Sequence, residues 1–362
     1  MSERPLIALA LGDPAGIGNE LAVKALSDEA TFDAADWIVI GDRRLWELGK
    51  TQSDLSLDLP DFDPAAFDHA AFLDLGHADM EAITIGQSSF GGGSVAIRDF
   101  STALRIAAAG VVDAVTFTPF NKHAMRLAEP AYVDEIGFVQ RTIGTDAPGS
   151  EFNVLDEVWN ARATSHVPLS AVPAMITPER LARAIALTDS TMRGAGIDNP
   201  RIGVAALNPH AGDGGNFGTE DDEIIAPAVE AARLRQFRVT GPIPSDTVYV
   251  RALKGEFDAV LTMYHDQGQI AMKLIGFDRG VTLIGGFPFW IATPAHGTAY
   301  DIAGTGVANP GATIKALQLA ARLSRRSNPD GFADPVERLA ASWPADIVGR
   351  EVAAATAEPR GA

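Results

Sequence analysis

Short apolar runs alternate with helix-spaced stretches along most of the chain. Pro5–Leu11, Asp36–Gly41, Asp113–Phe117, Arg201–Leu207, Asp258–Tyr264 and Val281–Ile284 are compact, largely apolar segments bounded by polar or glycine-rich residues. That pattern predicts strands buried on both faces. Between them, Ser94–Gly110 carries apolar residues at helical spacing and ends on a glycine, and Gly311–Arg325 reads as an amphipathic helix entered through Asn309-Pro310. Ile176-Thr-Pro-Glu opens another helix, with Thr177 as N-cap and Pro178 in the first turn. Residues 51–95 are rich in Asp, Pro, Gly and Ala and predict loop with short elements, and the tail after Val348 is expected to fray. Strand and helix candidates alternating in this way predict an α/β class with a parallel or mixed sheet.

Polar groups collect where these predicted strands end. Asp258–Tyr264 runs into His265, Asp266, Gln267 and Gly268, and Arg201–Leu207 empties into NPHAGDGGNFGTEDD, whose glycines and Asn216 oppose regular structure. Asp113–Phe117 leads to TPFNKHAM with Lys122, and Pro5–Leu11 to GDPAGIGNELAVKAL, a glycine loop before a helix. Open α/β sheets bind ligands beyond the carboxyl ends of their strands. Residues 258–310 hold three such stretches and are the expected core of an active site.

At 362 residues the chain suits two domains. A 46% hydrophobic, 21% charged composition is that of a soluble globular protein, and a net charge of −18 argues against a nucleic-acid or anionic-membrane surface. An anionic substrate would need local cations to hold it against that field. The absence of cysteine excludes disulfides, thiolate metal sites and cysteine nucleophiles. With no stretch of membrane-spanning length and no signal-peptide layout in MSERPLIALALGD, a cytoplasmic enzyme is expected.

Three of the seven histidines, His166, His210 and His265, stand at or near the ends of apolar runs. Neutral imidazoles suit a Zn-like cation, with positions left open for substrate. Their spacing equally allows three unrelated histidines, each bonded to its own loop. Asp246 and Asp266 are candidate carboxylates for orienting a ligand or relaying a proton, although Asp246 could instead cap a helix before Thr247. Lys273, two helical turns beyond His265, could clamp a carboxylate or phosphate as a point charge, or simply lie on a solvated face.

The stretch HGTAYDIAGTGVANP resembles the cofactor segment of the isocitrate and isopropylmalate dehydrogenases, HG[ST]A-x-DIAG-x-G-x-ANP. The resemblance implies NAD held by His296, Gly297, Thr298, Asp301 and Asn309. A carboxylate at Asp301 would accept hydrogen bonds from a ribose diol and repel a 2′-phosphate, favouring NAD over NADP. The aspartate-rich metal site of those enzymes has no match here. GDPAGIG, SHVPL, LNPHAGDGG with GTE, GPIPSDT, MYHDQG, KLIGFDRGV and HGTA instead resemble, over nearly the full length, the 4-hydroxythreonine-4-phosphate dehydrogenase family. This implies a two-domain isocitrate/isopropylmalate dehydrogenase-like α/β fold with an active-site cleft between domains. We expect one domain from residues 1–125 plus 300–362 and the other from 126–299. The resemblance also implies a homodimer with shared active sites, in which His166 and His210 meet His265 of the partner at a divalent metal, Zn first, with Mg, Mn or Co as alternatives.

Several positions depart from the family pattern. Its GHTE-F segment reads YVDEIGF here, and its phosphate-binding Asn and Arg are replaced by Thr282 and Ile291, leaving Lys273. Losing a bidentate guanidinium is not a conservative change for a phosphate pocket. The expected substrate is therefore a small anionic 3-hydroxy acid without phosphate, such as a cyclic dihydrodiol carboxylate of the kind used by terephthalate dihydrodiol dehydrogenases. It would be oxidised with NAD and then decarboxylated, with Lys273 holding a carboxylate. The alternatives are 4-hydroxythreonine 4-phosphate itself and, from another class, a non-catalytic small-molecule sensor.

Overall fold

The computed structural model describes residues 4–344. The chain divides into two compact units, one made from the chain up to Pro148 and from Phe287 onward, the other from Gly149–Gly286. The first thus joins an early and a late stretch of the described residues. Its boundaries differ from the expected 125/126 and 299/300, because residues 126–148 and 287–299 pack with it rather than with the central unit.

The first unit opens with β1 (Leu6–Ala10), α1 (Gly18–Leu26), β2 (Asp36–Gly41), α2 (Arg43–Ser53), β3 (Ala70–Asp74), α3 (Phe90–Ala108), β4 (Ala114–Phe117), α4 (Lys122–Ala128) and α5 (Glu135–Ile143). Every residue of β1, β2 and β4 is buried, which is why their sequences are so nearly uniformly apolar. Helix α3 starts four residues before the expected Ser94, because Ser89 caps it by accepting a hydrogen bond from the Gly92 amide at 3.0 Å.

The second unit contains β5 (Ser150–Val154), β6 (Trp159–Arg162), α6 (Pro178–Gly194), β7 (Ile202–Ala205), α7 (Ala226–Leu234), β8 (Val239–Ile243), α8 (Ser245–Leu253), β9 (Ala259–Thr262), α9 (His265–Gly276) and β10 (Val281–Gly285). Thr177 caps α6 as read from sequence, accepting from the Arg180 amide at 3.2 Å. The chain then returns to the first unit with β11 (Trp290–Pro294) and α10 (Gly311–Ser327). The expected fraying beyond Val348 lies outside the described residues.

Strand order in the first unit is β3-β2-β1-β4-β11, with the paired registers parallel. In the second it is β10-β5-β6-β9-β7-β8, parallel except that β5 runs antiparallel to both β10 and β6. The sheet is therefore mixed. Each unit contains a point where the winding reverses. In the first, the chain leaves β1 toward β2 and later adds β4 on β1's other side. In the second, it leaves β7 toward β8 and later adds β9 on β7's other side. A ligand crevice belongs outside the carboxyl ends of such strand pairs.

Candidate active site

In the second unit, that crevice is where two of the three singled-out histidines stand. His210 follows β7, His265 opens α9 directly after β9, and His166 follows the neighbouring β6. The loops that carry them are held in unusual backbone conformations. His166 (φ 53°), His210 (φ 54°), Ala211 (φ 56°) and Asp213 (φ 46°) all occupy the left-handed region, which L-residues rarely adopt. Such geometry persists only where surrounding bonds impose it, and it concentrates at functional sites.

Those bonds come from residues to which the sequence assigned no role. The buried Asp221 carboxylate accepts the Leu207 and Asn208 amides, each at 2.9 Å, and so fixes the entry to the His210 loop. Asn208 in turn donates its side-chain amide to Glu220 at 2.8 Å. Gln267 ties three strand and helix ends together. It accepts from the Met263 amide at 2.6 Å and donates to the Ala206 carbonyl at 2.7 Å and Ser245 Oγ at 2.8 Å. Gly268 lets α9 lie close against β6, since a Cβ there would meet Asn160 Oδ1 at 2.3 Å.

The three rings do not share one pocket within the chain. His166 and His265 stand 5.4 Å apart, centroid to centroid, and line a small hollow of about 140 Å³ with Thr164, Tyr264 and Asp266. His210 lines a second hollow of about 430 Å³ with Asn208, Ser245, Asp246 and Gln267. Tyr264 borders both. Among the described residues, no three metal-ligating side chains converge. The donor chemistry nonetheless fits a divalent ion. His265 Nδ1 lies 2.7 Å from Asp266 Oδ1, the carboxylate–imidazole arrangement that fixes a ring and leaves Nε2 to face a metal. Asp246 is exposed in the first turn of α8 and makes no capping bond, so its capping alternative is not realised.

Lys273 is exposed on α9 and enters no ion pair among the described residues, with its ammonium 5.9 Å from the Phe277 ring centroid. Thr282 is half-buried in β10, paired with Asn153 of β5. Ile291 is fully buried in β11, paired with Val115 of β4. Arg279, a conceivable substitute cation, is bonded to Glu157 at 2.7 and 2.9 Å.

In the first unit, the loop after β1 and the segment 295–309 meet at the other crevice. The Gly12 amide donates to Thr118 Oγ1 at 2.8 Å and the Asp13 amide to the Pro119 carbonyl at 3.0 Å, which seats the GDPAGIG loop across the ends of β1 and β4. Gly16 lies so close to Thr298 that a Cβ would meet its side chain at 2.8 Å. Of the residues expected at the cofactor, His296 and Gly297 lie on the outer side of this segment, with His296 Nδ1 3.0 Å from the Gly297 carbonyl. Asp301 is exposed and its carboxylate has no protein partner among the described residues. Asn309 is exposed, with Oδ1 engaged by the Gly311 amide at 2.8 Å. Thr298 is buried, and its carbonyl accepts the Ile17 amide at 3.1 Å, so it braces the segment from behind.

An α/β chain with polar crevices at the carboxyl ends of both switch-point strand pairs has the architecture of a protein that binds small ligands there. The chain belongs to the family described as pyridoxal phosphate biosynthetic protein PdxA, whose profile matches residues 33–320. It is 52% identical over 328 residues to a Rhizobium meliloti protein provisionally named 4-hydroxythreonine-4-phosphate dehydrogenase 2, covering 89% of this chain and 94% of that one. It is 36% identical over 330 residues to a Symbiobacterium thermophilum protein provisionally named D-threonate 4-phosphate dehydrogenase, covering 89% and 97%. Among solved structures, 4-hydroxythreonine-4-phosphate dehydrogenase from Klebsiella pneumoniae matches with a TM-score of 0.79 at 33% identity, covering 89% and 98%. Terephthalate 1,2-cis-dihydrodiol dehydrogenase from Burkholderia xenovorans matches with a TM-score of 0.61 at 30% identity, covering 88% and 98%. The chain is an oxidoreductase of this family acting on a CH–OH group, and the sensor alternative falls away.

Proposed function

We propose that this protein is an NAD- and divalent-metal-dependent dehydrogenase of a phosphorylated four-carbon hydroxy acid, of the kind named for its relatives: 4-hydroxythreonine 4-phosphate or D-threonate 4-phosphate. Support comes from metal-type donors standing at the switch-point strand ends in a chain that matches the family across residues 33–320. The expectation of a non-phosphorylated cyclic diol acid gives way. The two relatives named above carry names of phosphorylated substrates, and the buried Ile291 says nothing about a pocket wall.

In this reading the active enzyme is a homodimer. One chain offers His166 and His210, and the partner's α9 brings its own His265 to complete the metal site. Helix α9 supports this with an exposed apolar row, Ile270, Leu274 and Phe277, that a second copy would cover. When bound, a divalent ion, Zn first, supplies charge stabilisation at the substrate oxygens, and NAD accepts the hydride. The chain's own groups do the rest. Asp266 fixes the His265 ring, Asp246 takes a proton from the substrate hydroxyl directly or through water, and Lys273 holds the substrate's anionic end. Loss of carbon dioxide from the resulting 3-oxo acid completes the proposed sequence. Asp301 holds the ribose diol, with His296, Gly297 and Asn309 beside it.

Purified protein with NAD and added Zn, Mg, Mn or Co should form NADH with the two phosphorylated acids, and excess chelator should abolish it. Equal or faster turnover of their dephosphorylated forms, or of an aromatic dihydrodiol carboxylate, would sink the phosphate assignment. Asp301→Ala should weaken NAD binding and narrow its preference over NADP. Equal use of the two cofactors by the unsubstituted enzyme would count against Asp301.

A further inference from the structure

The turn between Thr298 and Asp301 is strained and gripped from several sides. Ala299 sits at φ 43°, in the left-handed region where an alanine Cβ crowds its own backbone. On its amino side, the Thr298 carbonyl is held by the Ile17 amide at 3.1 Å. On its carboxyl side, Tyr300 donates its phenol hydroxyl to Asp13 Oδ2 at 2.5 Å. Nearby, the Gly86 amide donates to the Ala15 carbonyl at 2.8 Å. Asp13 is only 1% exposed, and its second oxygen is occupied by the Ala15 amide at 2.9 Å. Both Asp13 oxygens are thus spent inside the protein, one on the loop after β1 and one on Tyr300.

We propose that Asp13 and Tyr300 form a latch that positions the cofactor segment, setting the strained turn so that Asp301, the next residue, presents its carboxylate outward. This rests on the reading of 296–309 as the NAD segment. Tyr300 and Asp13 are positioning residues, because their polar atoms are spent on one another and on the loop. A second clamp holds the far end of the segment. The buried Glu20 accepts the Ala308 amide at 2.8 Å and the Lys24 ammonium at 2.6 Å, and Lys24 also donates to the Gly306 and Ala308 carbonyls at 2.8 and 2.9 Å. The two clamps lie on opposite sides of Asp301, so loosening one should be separable from loosening the other.

The test is Tyr300→Phe in the full chain, with Asp13→Asn as a second variant that keeps the shape but removes one acceptor oxygen. Amide hydrogen exchange in the ligand-free protein should accelerate about tenfold at 298–302 while 306–309 keeps its rate. NAD affinity, read by calorimetric titration, should fall about tenfold, with KM for NAD rising far more than kcat falls. Unchanged exchange at 298–302 in both variants overturns the latch. So does unchanged NAD affinity in a protein whose unsubstituted form binds NAD. Failure of the unsubstituted protein to bind NAD at all is a different result. It overturns the cofactor reading, and the exchange arm alone then decides whether the latch holds the turn.

Discussion

Two buried acids show how much a single side chain can set. Asp99 faces His77, with His77 Nε2 3.2 Å from Asp99 Oδ1 and both side chains at most 1% exposed. Burial pushes the Asp99 carboxyl up to about 6, against the opposing pull of His77. For His77, burial pulls the imidazole down, but the Asp99 charge beside it lifts it above its ordinary value. Both folded-state values exceed the unfolded ones, so the contribution of each group is present in full at low pH and is lost as pH rises. The window opens near pH 4, where unfolded Asp99 ionises, and runs past 6, where folded Asp99 and then His77 lose their protons. Relative to Asp99→Asn, the unsubstituted protein should lose on the order of 2–3 kcal/mol of stability across that range. Urea unfolding at pH 4.5 and 7 measures this directly, and a difference between the two proteins that does not change with pH refutes it. At the crevice, Asp221→Ala should release the Leu207 and Asn208 amides that hold the strained His210 loop. Its cost is about 2–4 kcal/mol, because two partly buried donors lose their buried acceptor together. Thermal melts would read the stability loss. An unperturbed midpoint would show that the loop is held by other means.

At the level of elements, the legible parts of the chain were those whose burial is uniform. β1, β2, β4, β7 and β9 are buried throughout, and β10 at every residue but Thr282, so they announce themselves as apolar runs. β5 and β6 were missed because they carry polar residues whose partners lie mostly on other strands or on a helix. Arg162 bonds Glu151 at 2.6 Å, Asn160 donates to Thr262 Oγ1 at 3.1 Å, and Gln269 donates to Asn153 Oδ1 at 2.8 Å. No local pattern reports such partners. The candidate histidines were visible because they follow readable strands, whereas Asp221, Gln267 and the Asp13–Tyr300 pair are ordinary polar residues until the fold brings their partners to them. Helix α9 shows the reverse case, an apolar signal that the single chain leaves unused. Ile270, Leu274 and Phe277 are 62%, 83% and 59% exposed and recur at helical spacing. If a second copy covers them, Leu274→Asp should place a charge in that contact and convert a dimer to monomer in sedimentation velocity. A variant that keeps the mass of the unsubstituted protein would show that the row serves something else.

The whole molecule raises the question of how a chain carrying −18 net charge would serve the anionic substrate and cofactor proposed for it. Long-range attraction cannot help, so short-range cations must dominate, and a divalent ion is the strongest local charge available. Within one chain, however, His166 shares its hollow with His265 while His210 lines another. A three-histidine site made of His166, His210 and the partner's His265 therefore makes a prediction that no site confined to one chain can meet. His166→Ala and His265→Ala should each be inactive alone, since every site in either homodimer lacks a ligand. Mixed and allowed to exchange subunits, they should form heterodimers in which one site carries both substitutions and the other carries neither. Random pairing makes half the dimers mixed, each with one intact site of two, so about a quarter of the unsubstituted activity should return. Bound Zn, counted by atomic absorption after gel filtration, should return in the same proportion. If mixing restores neither activity nor metal although subunit exchange is shown by mass labelling, the site is not shared. The three histidines would then have to act within a single chain.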